Sequence, residues 1–284
     1  MRGFGVVAAC VALAACNGQT TDGFSSADTI EASGTKVLRD FNGTAFPLRQ
    51  HTAAITITSS GPGGTVDVAD GDGSPANIVT GSSQDLNTRD FGSFNGFDIG
   101  SVSGSDTVGI MTLQTARATY TGYGVWKAEP NIGPTVITGF HYGLETPESA
   151  LPTRGGTATY VGPAIAIYFA QGATGTRRIR EYTGVASLEV NFHIAADAVT
   201  GNIRGLTSGT SSVQDLLLTG TRSGSSFAGE VAPDTGSVGA GNSFDPTARG
   251  VFSGQLYGPR FEEAGASGSI SDSGGTLVFG FGGD

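Results

Sequence analysis

The sequence predicts an all-β fold, and three observations carry that expectation. Glycine and proline, at 47 and 11 of 284 residues, make up about a fifth of the chain. That is more than an average soluble protein carries and less than a disordered low-complexity chain would. Charged residues are only 14%, too few for long amphipathic helices with salt-bridged outer faces. From Ser187 to Ile194 the chain alternates, with Leu188, Val190, Phe192 and Ile194 on one face and Ser187, Glu189, Asn191 and His193 on the other. A period of two is the signature of a strand with one buried face. The length suits either two ordinary domains or one large all-β domain.

The elements follow in chain order. Met1 and Arg2 precede an apolar run from Gly3 to Leu13 and the small residues Ala14 and Ala15, the three parts of a secretory signal. The run is too short to span a bilayer, which takes about 20 residues. Leu13-Ala14-Ala15-Cys16 resembles a bacterial lipobox, which implies a signal peptide over 1–15 and lipid attachment at Cys16; the alternative is an ordinary signal with an incidental cysteine. The other cysteine, Cys10, lies in the segment to be removed, so no disulfide framework is expected. Residues 17–34 are polar and nearly free of large apolar side chains, so 16–36 reads as the lipidated cysteine and a flexible tether. Asn17 stands where an aspartate would signal inner-membrane retention, which points to outer-membrane sorting.

Residues 37–152 read as a β-rich domain with long loops. Ala53 to Thr58 alternates Ile with Thr, and Val108 to Leu113 and Ala118 to Trp126 are further strand candidates. Between Ser59 and Gly104, turn signals crowd out any period. In residues 153–284 the pattern sharpens into eight candidate strands near 157–169, 185–194, 199–205, 213–221, 226–232, 248–257, 264–271 and 275–281. Eight short strands over about 130 residues suit a small closed barrel or a sandwich. Gly220, Gly254 and Gly268 would help a tightly curved sheet bend, which favours the barrel.

Several short stretches carry a family resemblance. GVFSGQLYGPRFEEAGASGSI, Gly250 to Ile270, holds a glycine-flanked strand, an aromatic-Gly-Pro turn at Tyr257, Gly258 and Pro259, an acidic pair at Glu262 and Glu263, and a return strand. It resembles the C-terminal barrel signature of transferrin-binding protein B and related Slam-dependent surface lipoproteins of bacteria. LPTRGGTATYVG, Leu151 to Gly162, resembles the start of that barrel, and LVFGFGG, Leu277 to Gly283, its end. GYGVW, Gly122 to Trp126, and HYGLETP, His141 to Pro147, resemble the end of the preceding handle domain. The resemblance implies an eight-stranded antiparallel β-barrel over 153–284 preceded by a β-rich handle over 37–152, a single handle-plus-barrel lobe. Since the family's namesake has two such lobes, transferrin itself is a doubtful ligand. Proline after glycine fixes φ and removes a donor, so Gly258-Pro259 is expected to end a strand, with Tyr257 on the barrel wall or in its core.

No catalytic or metal-binding pattern stands out. His51, His141 and His193 are scattered singly and read as surface or strand polar positions; there is no HExxH, CxxC or G-x-S-x-G. Asp70, Asp72 and Ser74 begin like a calcium loop, but Pro75 replaces its glycine and Gly81 its glutamate. No cofactor is expected. With 25 acidic against 15 basic residues the formal charge is −10, which argues against nucleic acid and anionic lipid head groups as partners. Against that background Arg177, Arg178 and Arg180 cluster in the presumed loop between the first two barrel strands, a candidate ligand or anion contact whose alternative is pairing with Glu181 and nearby carboxylates. Tyr120, Tyr123 and Trp126 fit ordinary core packing. The expectation is a non-enzymatic lipoprotein, held at the outer membrane by its anchor and displayed on the cell surface. By resemblance it captures an extracellular protein or a metal- or haem-bearing carrier for uptake such as iron acquisition, with an outer-membrane translocator and a TonB-dependent transporter as partners. The alternative is a structural or adhesive envelope lipoprotein with no soluble ligand.

Overall fold

A computed structural model describes the backbone of residues 29–39, 49–58, 65–70, 79–80, 86–90, 94–103, 106–115, 120–129, 135–153, 155–171, 177–193 and 198–284, and the side chains of 120–125, 137–153, 155–170, 179–193 and 198–284. Cys16 and the signal segment lie outside these residues.

The first sheet contains β1 (Thr29–Arg39), β2 (Arg49–Thr58), β3 (Thr65–Asp70), β4 (Val79–Thr80), β5 (Leu86–Asp90), β6 (Phe94–Ser103), β7 (Asp106–Thr115), β8 (Thr121–Glu129) and β9 (Thr135–Gly143). Their order is β4-β3-β2-β1-β9-β8-β7-β6-β5. Two sequence expectations change here. The chain enters β1 at Thr29, so the end of the presumed tether is a central strand, paired with β2 from Thr29↔Thr58 and with β9 from Ser33↔His141. A polar stretch can hold this place because main-chain amides and carbonyls, paired on both sides, supply the ladder without large side chains. The presumed irregular stretch from Ser59 to Gly104 likewise contains β3 to β6, short strands between its glycine-rich segments.

The second sheet closes on itself. Its wall consists of β10 (Thr157–Gln171), β11 (Arg177–Asn191), β12 (Ala198–Ser208), β14 (Leu216–Ser223), β15 (Ser226–Pro233), β17 (Arg249–Tyr257), β18 (Glu263–Ser271) and β19 (Thr276–Gly283), with β11 paired to β12 to complete an eight-stranded antiparallel barrel. Two short strands, β13 (Ser211–Val213) and β16 (Gly241–Asn242), pair in parallel beside β12. The barrel is filled from all sides by, among others, Tyr182, Leu188, Val199, Leu218, Phe252 and Phe279.

The second barrel strand is longer than the sequence suggests. It begins at Arg177, opposite Gln171, and so carries Arg177, Arg178 and Arg180 inside a strand rather than in a loop. A register shift between Thr183 and Val185 in the pairing with β12 explains the miss, because a bulge breaks the period of two that is legible from Ser187 onward. At the other end β11 stops at Asn191, leaving His193 exposed beyond it.

The barrel wall has two kinds of surface. In β14 and β15 buried and exposed residues alternate, as expected of a wall with core on one side and water on the other. Every residue of β19, and all but the last of β18, is buried. The outer face is covered by β8 and β9, whose Tyr123, Val125 and Ile137 pack with Ile165, Ile167 and Phe169 of β10 and Val278 of β19. Backbones approach closely here: a methyl group at Gly139 would stand 2.2 Å from the Phe279 carbonyl oxygen, and one at Gly280 would stand 2.4 Å from that of Gly124.

Candidate functional site

The strand directions give the barrel two ends. At the proximal end lie the turn 258–262, the turn 224–225 and the chain segment leading from β9 into β10. At the distal end lie the loops after β10, β12, β15 and β18.

The proximal end joins two stretches that are far apart in sequence. Gly258 N–H donates to the Leu144 carbonyl at 2.7 Å, Thr146 N–H to the Leu256 carbonyl at 3.0 Å, and the Thr146 hydroxyl to the Gly258 carbonyl at 2.8 Å. HYGLETP and YGPRFEE therefore form one joint. Gly258 has φ +89, left-handed backbone that glycine adopts without strain, and its side-chain space is taken up by Glu262 and Tyr120. Glu262 is exposed in the turn and accepts Arg260 N–H at 2.7 Å, whereas Glu263 starts β18, is buried and accepts Tyr120 N–H at 3.0 Å. The acidic pair thus braces the joint from two sides.

His141 is a polar position in a strand, one of the two settings expected for it, but a buried one, with Nδ1 2.7 Å from the Tyr257 hydroxyl. Desolvation lowers its pKa to about 4 and raises those of Tyr123 and Tyr257 well above the usual phenol range. Nothing in the sequence ties residue 141 to 257; only their common presence in two motifs of one resemblance hints at the contact.

The distal end is built as a platform. Buried Gln214 holds the long loop after β15 by donating from Nε2 to the Asp234 and Ser237 carbonyls and accepting Phe244 N–H at 3.0 Å. Ser237 Oγ accepts Asp215 N–H, and Ser212 Oγ accepts Ala240 N–H at 2.7 Å. Asn242 donates to the Tyr182 hydroxyl at 2.6 Å. Within this braced loop Val238 is 86% exposed. Arg180 is exposed on the same end and donates to Ser211 Oγ of β13. Arg177 and Arg178 are at the start of β11, with side chains outside the described residues. The aspartates of this end serve its turns: Asp272 accepts Gly274, Gly275 and Asp245 N–H groups, and Asp245, whose hydrogen bonds from the Thr247 hydroxyl and amide lower its pKa, caps its own turn. Nothing in the sequence marks Gln214 or Val238, since an isolated amide and a valine in a glycine- and serine-rich loop carry no motif.

Among the described residues no group of three His, Cys, Asp or Glu side chains could hold a metal ion, and no helix is long and apolar enough to cross a membrane. The calcium-like stretch after Asp70 and the side chain of His51 lie outside them.

No protein-family model and no curated protein matches the sequence. Solved structures do match in shape. The vaccine antigen transferrin-binding protein B of Haemophilus parasuis, as a double mutant, superposes with a TM-score of 0.52 at 15% identity, covering 89% of this chain and 44% of that one. A single mutant of the same antigen gives 0.50 at 12% identity, covering 89% and 45%. An intact transferrin-binding protein B with N and C lobes gives 0.48 at 15%, covering 92% and 47%. The chain thus spans less than half the length of these proteins. A nine-stranded sheet docked on a closed eight-stranded barrel, superposing at this level, is the transferrin-binding protein B fold.

Proposed function

We propose that this protein is a lipid-anchored surface protein of the bacterial outer membrane that captures a carrier protein, metal- or haem-bearing, on the distal end of its barrel and hands the cargo to an uptake partner. It is a binding protein, with no reaction of its own. The observation that carries the reading is the placement of the two ends. β9 runs toward the proximal joint and β1 runs antiparallel to it, pairing Ser33 with His141, so the chain before Thr29 leaves at the proximal end. An anchor at Cys16 therefore puts the braced platform with Val238 and Arg180 on the side away from the membrane. Barrel strands of about nine residues, tilted by about 40° to the axis, separate the two ends by about 20–25 Å.

A rigid platform favours binding because little ordering entropy is lost on contact. An exposed valine on a braced loop and the exposed Arg180 at the same end supply an apolar anchor and a charged contact. The acidic chain as a whole supports a partner with complementary basic surface.

The test is capture of host iron- and haem-carrier proteins by the full mature chain, immobilised through its N-terminus. Capture is expected, with a loss of tenfold or more on Val238→Asp and on Arg177→Ala, Arg178→Ala, Arg180→Ala combined. Unchanged capture by both would remove the distal platform from the reading. Cys16→Ser is expected to release the protein from membranes, and continued membrane association would sink the anchor.

A further inference from the structure

The seam between handle and barrel holds more unpaired polarity than its packing suggests. Among the described buried side-chain atoms, His141 Nε2, Thr121 Oγ1, Tyr123 OH and Ser267 Oγ have no hydrogen-bond partner, and all four belong to the strands that meet there. His141 and Tyr123 are register partners across β8 and β9. The ring faces β18: a methyl group at Gly265 would stand 3.3 Å from His141 Cβ and from Thr121 Oγ1, and 3.0 Å from the Tyr257 ring. That face is closely packed against β18.

The ionisable groups around His141 come from every packed element. β17 contributes Tyr257, β18 the buried carboxylate of Glu263, and β8 Tyr123; β9 itself carries Tyr142. Glu145 is bridged to Tyr257 just beyond β9, exposed Glu262 is held in the turn, and β1 places Ser33 opposite His141 with Glu31 two residues along. None of the described hydrogen bonds joins the imidazole to a carboxylate. A neutral ring fits, with one nitrogen engaged by Tyr257. A protonated ring would carry N–H donors on both nitrogens, and Nε2 has no hydrogen-bond partner in its buried setting.

We propose that His141 is an acid-sensitive pin between the two sheets: protonation of its ring loosens β8 and β9 from β18 and β19 while the barrel stays closed. The barrel is expected to survive because, among the described residues, the buried imidazole and the buried carboxylate, His141 and Glu263, are both at the seam, while the residues filling the barrel are largely apolar. The sign follows from burial. Lowering the pKa from 6.5 to about 4 means that the open seam binds a proton before the closed one does. The stability this group lends the closed seam is complete above about pH 6.5 and lost progressively down to about pH 4.

Hydrogen exchange of the full mature chain between pH 7 and 4.5, corrected for intrinsic rates, tests this. The opening constant of the amides that bond across the seam, those of Tyr120, Thr146 and Gly258, should rise by about sixtyfold over that range, with β14 and β15 unchanged. His141→Gln should abolish the acid step and Glu263→Gln should retain it. An acid step that persists in His141→Gln, a flat wild-type profile, or equal loss in β14 and β15 would each overturn the proposal. Should His141→Gln not fold, ring nitrogen NMR of the wild type decides: a ring neutral at pH 5.5 while the seam is closed is expected, and protonation near 6.5 with full seam protection would overturn it.

Discussion

The wall formed by β10, β18 and β19 and the wall formed by β12, β14 and β15 close the same barrel, yet their outer surfaces differ in kind. On the free wall, outward positions are Leu217, Thr219 and Thr221, exposed residues alternating with the buried Leu216 and Leu218. On the docked wall, the inward positions Leu277, Phe279 and Phe281 alternate with Val278, Gly280 and Gly282. Both walls keep a period of two. What separates β18 and β19 from the free wall is residue size on the outer face: glycine and serine let a second sheet approach until backbone meets backbone, beside the large Ile165, Ile167 and Phe169 that β10 packs against it, whereas threonine and leucine fit a half-wet surface. A run of alternating large residues and glycines therefore marks a strand covered on both sides, a reading that polarity alone does not supply.

The largest expected effect comes from the shared interior. Phe279 is 0% exposed and points into the barrel from the docked wall. Phe279→Ala should cost about 3–5 kcal/mol, part lost transfer energy and part cavity, and lower the midpoint of thermal unfolding by on the order of 10 °C, as circular dichroism would measure. A small shift would mean that the handle collapses onto the vacated space, and that the docked wall is more pliable than the close approaches indicate.

Gly280→Ala sharpens the comparison. In an exposed strand this change would be neutral or mildly stabilising through the unfolded chain. Here the added methyl group would lie 2.4 Å from the Gly124 carbonyl oxygen and 3.1 Å from that of Phe140, backbone atoms that cannot rotate away. The expected cost is about 1–3 kcal/mol from overpacking. It should fall on the handle, with faster hydrogen exchange in β8 and β9 than in β14 and β15. Tolerance of the methyl group would break the contrast between the walls.

Much of the barrel was legible because its strands obey their period: the structure places strands in all eight stretches singled out, with shifted ends. The failures have specific physical causes. The bulge near Thr183 hid the first half of β11 and with it the strand setting of Arg177, Arg178 and Arg180. β1 was hidden because main-chain pairing on two sides needs no apolar pattern. Motif resemblance found HYGLETP and YGPRFEE separately, but their joining depends on hydrogen bonds across more than a hundred residues, between Thr146 and Gly258 and between His141 and Tyr257. Burial of His141 follows from that joining and could not be read locally. The distal platform was legible only at its arginines; its main brace, Gln214, acts through carbonyls and an amide from a distant loop.

The smallest effect belongs on the free wall, and it is the control that gives the other two their meaning. Leu217 is 40% exposed, between the buried Leu216 and Leu218, and pairs with Asn202 on one side and Ala232 on the other. Leu217→Thr exchanges a partly buried apolar side chain for a β-branched one suited to a strand, so the lost burial and the gained strand preference oppose each other. The net change should be within about 0.5 kcal/mol, read as a shift of a degree or two in the same thermal melts. A cost matching that of Gly280→Ala would mean that this outer face is covered too, and the two walls would then differ in what packs on them rather than in whether anything does.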